Sequence, residues 1–169
     1  MIRVAILTVS DRSSRGERAD TSGPALAEEI NKLGWETVKT DLVPDEIDRI
    51  KAVLLEWCAG SQIDLILTSG GTGFAARDVT PEATLAVVDR LAPGIAEAMR
   101  AASLKVTPHA MLSRAVAGIK NRTLIVNFPG SPKATLENLV VIAPVIPHAV
   151  ELLQESPDAE KGHAHPATK

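Results

Sequence analysis

Residues Arg3 to Val9, RVAILTV, form a continuous apolar run. A half-exposed strand alternates apolar and polar residues, so a run that stays apolar belongs to a strand covered on both faces, the condition of a parallel sheet packed between two layers of helices. Ile63 to Thr68 and Arg122 to Phe128 (with its core TLIVNF) read the same way. By contrast, Glu36 to Val43 alternates, with Val38, Thr40 and Leu42 on one side and Thr37, Lys39 and Asp41 on the other, and reads as a less buried edge strand.

Helical patterns separate these strands. Gly23 to Leu33 opens with Pro24, places Leu26, Ile30 and Leu33 on one face, and closes at Gly34 in a C-cap position. Pro44 and Asp45 start a second helix, in which Ile47, Ile50, Leu54, Trp57 and Cys58 recur at helical spacing until about Gly60. Two more helices are expected over Pro81 to Arg90 and Gly94 to Lys105. Pro108 forbids a helix through Thr107 to Ala117, and Ser113 to Gly118 reads as a short strand. A last helix runs from Ser131 and Pro132 to about Glu155, bent by Pro144 and Pro147.

Strands alternating with helices imply a three-layer α/β sandwich, its mainly parallel sheet flanked by helices. At 169 residues the chain holds one such domain, here assigned to 1–155, followed by a Pro-, Lys- and His-containing tail, 156–169, that is expected to be disordered. Ligands of open parallel sheets bind beyond the carboxyl ends of the strands. Four loops gather there: Ser10, Asp11 and Arg12; Pro44, Asp45 and Glu46; Ser69 to Asp78; and Asn127 to Lys133.

The third loop is the richest in chemistry. Three glycines in the four positions Gly70 to Gly73 let consecutive amides turn into one concavity that can hold an anion. Arg77 can offer a forked donor to phosphate, and Asp78 can hold a metal that travels with a nucleotide. The same turn also reads as a plain tight connection, with Thr80 as helix cap and Pro81 in the first turn. It is neither a P-loop, since no Lys-Ser or Lys-Thr follows the last glycine, nor a GxGxxG fingerprint. In PGSPK, Pro129 to Lys133, a helix start carries Ser131 and Lys133, suited to phosphate but equally to simple capping. Asp45 reads as a metal ligand or as the cap of its helix, and Asp11 with Arg12 as pocket residues or a solvated turn pair.

Composition removes several alternatives. Aromatics at 2% with no Tyr give no base-stacking platform, and a net charge of -3 gives no broad basic face, so no nucleic-acid partner is expected. No apolar run approaches bilayer length, and the lone Cys58 falls at an apolar helix position, so a membrane role is not expected and a cytoplasmic, reducing setting is. His109 and His148 lie beside prolines with no nucleophile elbow, which excludes a Ser-His-Asp reading, and His163 and His165 sit in the tail with too few fixed ligands for a metal site.

Several stretches together resemble one family. TSGGTGFAARDVTPEA at Thr68 to Ala83, VPDEIDRIK at Val43 to Lys51, LIVNFPGSPKA at Leu124 to Ala134, TVSDR at Thr8 to Arg12 and MLSR at Met111 to Arg114 are similar to the molybdopterin adenylyltransferases, which include bacterial stand-alone enzymes and the G domains of gephyrin and its plant counterpart. The resemblance spans Arg3 to about Leu153. It implies a molybdenum-cofactor biosynthesis enzyme, a nucleotidyltransferase that joins AMP from Mg-ATP to the terminal phosphate of molybdopterin and releases pyrophosphate. It further implies a homotrimer, catalytic and metal-binding roles for Asp45 and Asp78, and a substrate pocket bordered by Ser69, Gly70, Gly71, Thr72, Gly73 and Thr80. Pro129, Gly130, Ser131 and Lys133 are expected at molybdopterin or its phosphate, with Ser10, Asp11 and Ser113 lining the pocket. A second, molybdenum-inserting domain is not expected in this chain, so insertion would need a separate protein. Phe128 departs from the family, where Leu is commoner. The rival reading is a non-catalytic molybdopterin-binding protein of the same pathway; a trimer-forming scaffold is a third.

Overall fold

A computed structural model describes residues 1–60 and 62–155, so the expected disorder of the tail, and its two histidines, lie outside the described residues. Six strands form one sheet in the order β2-β1-β3-β6-β5-β4. Strands β2 (Glu36–Val43), β1 (Arg3–Val9), β3 (Leu65–Ser69) and β6 (Thr123–Phe128) run parallel, while β5 (Ala117–Lys120) is antiparallel to both β6 and β4 (Arg90–Leu91). The three continuous apolar runs are the central strands: β3 and β6 are buried along their whole length, and β1 at all but its first residue. The alternating run is the edge strand β2, mostly exposed.

Alternate side chains of these strands feed two separate cores. On one face Val4, Ile6, Leu65, Leu67, Leu124 and Val126 pack against α2 (Ser22–Lys32), α5 (Pro93–Leu104), α6 (Pro132–Ile142) and α7 (Ile146–Leu153). On the other, Ala5, Leu7, Ile66 and Ile125 meet α3 (Ile47–Cys58) and α4 (Thr80–Leu85). This is the three-layer sandwich that non-alternating strands require. Helix α2 stops where expected, with Gly34 at φ +76° just beyond its last turn. No single described helix is long and apolar enough to cross a membrane.

Four local expectations are corrected. The helix expected to reach Arg90 ends at Leu85, because the chain then turns to pair Arg90 and Leu91 with β5. Gly118 permits that approach: a Cβ there would lie 2.7 Å from the Val88 side chain and 2.9 Å from the Arg90 carbonyl. The segment after Thr107 forms a 3-10 turn over Pro108–Leu112, capped by the Thr107 hydroxyl, and its strand begins at Ala117, not at Ser113. The last helix is two, α6 and α7, meeting at 66°. Pro144 lies in the break and Pro147 in the first turn of α7. Finally, α3 begins at Ile47 with Glu46 as its N-cap, so Asp45 does not cap it. A short helix, α1 (Asp11–Ser14), occupies the loop after β1.

Candidate active site

Three loops meet at the carboxyl ends of β1, β3 and β6, and glycines let them touch. Gly70 (φ +109°) and Gly71 (φ +64°) adopt conformations that favour glycine. A Cβ on Gly70 would run into the Val9 carbonyl, and one on Gly71 into the Thr80 hydroxyl and, at 2.9 Å, Asp45 Oδ1. The fully buried Thr80 fixes the turn from inside, its N–H donating to Gly71 O at 3.0 Å and its hydroxyl to Gly70 O at 2.8 Å. Gly70 itself donates to Phe128 O at 3.1 Å, so the amides that can face an anion begin at Gly71. Ser69 Oγ donates to Pro129 O (3.1 Å) and Ser22 Oγ to Gly130 O (2.9 Å), tying the β6 loop to the other two.

The carboxylates are held by one another's backbones. Asp45 accepts the Asp11 N–H at 2.7 Å, and Asp11 accepts the Asp45 N–H at 3.0 Å. Arg77 closes the arrangement with a fork onto both Asp11 oxygens, each at 2.8 Å. That fork holds the Asp11 carboxyl below the usual carboxylate range. Burial pushes the Asp45 carboxyl above it, and the neighbouring charges of Asp11 and Asp78 add to the rise. Asp78 accepts the Ala75 N–H at 2.9 Å. Its loop is braced from behind by Arg114, whose amide donates to Thr72 O at 2.9 Å and whose guanidinium donates to Gly73 O at 2.7 Å, to the Asp78 carbonyl and to the Glu82 carboxylate.

The glycine loop separates two cavities. One, of about 300 Å³, is polar; Ser10, Asp20, Asp45, Gly71, Asp78 and Ser131 are among its lining residues. The other, of about 290 Å³, is largely apolar and lies between Thr72, Gly73 and Pro129 on one side and Met99, Val106 and Ser113 on the other. A charged, multiply hydrogen-bonding group suits the first, a flat organic ring system the second. Among the described residues no three His, Cys, Asp or Glu side chains are grouped to hold a metal unaided. Two carboxylates facing one polar cavity, with the charge of Asp78 adding to the cost of ionising Asp45, fit a divalent cation.

The family described as "Probable molybdopterin binding domain" matches residues 5–148. The chain belongs to this family. It is 44% identical over 154 residues to a molybdopterin adenylyltransferase of Helicobacter pylori, covering 90% of this chain and 88% of that protein. It is 42% identical over 167 residues to the Escherichia coli protein of the same name, covering 90% and 86%. A Dictyostelium discoideum gephyrin is 43% identical over 172 residues, and there the chain spans 24% of the relative's length. Among solved structures, the molybdopterin biosynthesis enzyme MoaB of Thermus thermophilus superposes with a TM-score of 0.87 at 52% identity, covering 93% of this chain and 99% of that one. MogA superposes with a TM-score of 0.85 at 38% identity, covering 89% and 99%.

The residues expected in this molybdopterin-binding domain divide unevenly between the cavities. Ser10, Asp45, Ser69, Gly70, Gly71, Asp78, Gly130 and Ser131 share the polar one. Thr72, Gly73, Ser113 and Pro129 line the apolar one. Thr80, Asp11 and Lys133 line neither. Thr80 is interior to the turn, Asp11 is engaged by Arg77, and Lys133 is 81% exposed, facing Glu137 at 3.9 Å. Arg77, expected at phosphate, points its fork at Asp11 instead. Two contributors were not anticipated. Asp20 lines the polar cavity, accepts the Thr8 hydroxyl and caps the start of α2 through the Ser22 and Gly23 amides; Arg18 lines the same cavity. Their place in a loop leaving a buried strand toward the ligand edge was the available signal.

Proposed function

We propose that the protein is a molybdopterin adenylyltransferase that uses ATP and Mg²⁺ to place AMP on the terminal phosphate of molybdopterin. The observation that carries this reading is the pairing of the polar cavity, which Asp45 and Asp78 face, with an apolar cavity across a single glycine loop. The curated adenylyltransferases at 42–44% identity over most of the chain support the same reaction. In the transfer, a phosphate oxygen of molybdopterin attacks the α-phosphorus of ATP as the bond to the bridging oxygen of pyrophosphate breaks. Such a reaction needs positioning and charge neutralisation more than a covalent nucleophile. Asp45 and Asp78 would hold the metal ion, whose contribution is to neutralise charge on the phosphates. The amides from Gly71 onward and the α6 start at Ser131 face the phosphates, while the apolar cavity takes the ring system and excludes water from it.

The test is to incubate the full chain with Mg-ATP and molybdopterin and follow adenylylated pterin and pyrophosphate by chromatography and mass. Product that requires both substrates supports the transferase. Tight molybdopterin binding without AMP transfer would instead assign the non-catalytic role. Asp78→Ala is expected to abolish turnover with the fold intact; Asp45→Ala also removes the acceptor for the Asp11 amide and is expected to lower turnover and stability together. Retained adenylylation in Asp78→Ala would refute its assignment. The reading extends to a cytoplasmic homotrimer whose product passes to a separate molybdenum-inserting protein. The single, buried Cys58, its thiol pushed up by burial to about 11, suits a reducing compartment, and exposed Val106, Met111, Val140 and Val145 offer apolar surface for subunit contact. Light scattering measures the assembly directly.

A further inference from the structure

The polar cavity presents a problem of charge. Its lining includes three carboxylates, Asp20, Asp45 and Asp78, and one guanidinium, Arg18. The triphosphate that the proposed function requires is itself strongly anionic, and the cations expected to receive it are elsewhere. Arg77 is forked onto Asp11, Arg15 onto Glu17, and Lys133 stands outside the cavity beside Glu137. Arg18 is exposed, and its guanidinium makes no hydrogen bond or ion pair with a described residue.

We infer that Arg18 is the residue that binds the β- and γ-phosphates of the nucleotide and carries the charge of the departing pyrophosphate; this rests on the adenylyl-transfer reading. The cavity is asymmetric. Asp45 is half-buried against Gly71, where a phosphorus can be reached by both the carboxylates and the loop amides. Arg18 stands on the exposed side, and the leaving group must go out toward solvent. A guanidinium presents a planar fork that matches two phosphate oxygens at once. Being unengaged by any described residue, it breaks no ion pair among them to do so. The residue also lies on a different loop from Asp45 and Asp78, so the phosphate chain would bridge the β1 loop to the glycine loop.

The experiment compares the full-length protein with Arg18→Ala and Arg18→Lys. It measures binding of inorganic pyrophosphate and of ATP, each with Mg²⁺, by calorimetry, and steady-state adenylylation with each substrate varied. Because Arg18 has no described side-chain partner, the thermal midpoint should not move. Arg18→Ala is expected to weaken pyrophosphate and ATP about ten- to a hundredfold, the range for a charge-assisted hydrogen bond to phosphate. Arg18→Lys should recover part of this, and the KM for molybdopterin should stay within about twofold. Unchanged pyrophosphate and ATP affinity in Arg18→Ala overturns the assignment, as does a loss confined to molybdopterin. If the wild type binds pyrophosphate through Arg18 yet forms no adenylylated pterin, Arg18 stands as a phosphate ligand and the adenylyl-transfer reading falls. If product forms normally in Arg18→Ala, only the role of Arg18 falls.

Discussion

Gly73→Ala isolates the position of one carboxylate. At Gly70 and Gly71 an added methyl meets backbone or a left-handed conformation, but at Gly73 the only heavy atoms of described residues within reach belong to Asp78: Oδ2 at 2.9 Å and Cγ at 3.8 Å. Ordinary contact begins near 3.4 Å, so the carboxylate must retreat by about half an ångström. That retreat lengthens the 2.9 Å bond from the Ala75 amide, an exposed interaction worth about 1 kcal/mol at most. For a domain of this size the thermal midpoint should fall by no more than about 2–4 °C. The effect on chemistry should be larger, since misplacing a catalytic group by about an ångström can cost a hundredfold. We expect kcat to fall about ten- to a hundredfold, with the KM for molybdopterin nearly unchanged. The assay is steady-state adenylylation beside a thermal melt. Normal kcat would show that the transfer does not depend on where Asp78 stands; gross unfolding would show that the contact is not confined to one movable side chain.

Three other outcomes follow from the same geometry. Gly70→Ala should fail to fold or melt far below the wild type, because its methyl meets the Val9 carbonyl of a central strand at a φ of +109°, and circular dichroism reads this directly. Arg114→Lys keeps a charge near Glu82 but loses the fork onto the Gly73 and Asp78 carbonyls, so kcat should drop and amide exchange across residues 73–78 should quicken, while the remaining strands keep their protection; unchanged exchange would sink the bracing role. Burial raises the cost of ionising Asp64, but Arg3, bonded to it from backbone and guanidinium, wins and holds its carboxyl below the usual range. A group whose folded pKa is depressed stabilises above the unfolded value, near pH 4, and loses that contribution as pH falls through the folded value. Denaturant titrations should therefore show wild type ahead of Asp64→Asn by about 2 kcal/mol at pH 7, with the gap closing below about pH 4.

What was legible in the sequence depended on how local its cause is. The central strands were readable because burial on both faces leaves no polar residue to alternate, and β2 because exposure restores alternation. The helix beyond Thr80 was overrun because nothing inside Val87 to Arg90 announces a strand; β4 exists only where β5 supplies a partner and Gly118 leaves room. Of the two readings of Asp45, the cap fails although a Pro-Asp pair ahead of an amphipathic run is the pattern of a helix start, because Glu46 holds the N-cap position. The Asp45 carboxylate instead answers to Asp11, 34 positions away.

Within the site the same distinction separates backbone from side chain. A glycine-rich turn after a buried strand identifies where a ligand can approach, since that follows from conformation and sheet direction alone. Which cations face the ligand does not, because arginines choose partners in three dimensions. Arg77, adjacent in sequence to Asp78, turns away to Asp11 and so fixes Asp45 indirectly, while Arg18, sixty positions earlier, lines the cavity with both carboxylates. On the proposed function, the sequence neighbour of Asp78 would work as a positioning residue and the distant arginine as the phosphate ligand. Substitutions at the two should differ in kind: Arg77→Ala should lower kcat through Asp45 with nucleotide affinity kept, and Arg18→Ala should lower nucleotide affinity with Asp45 in place.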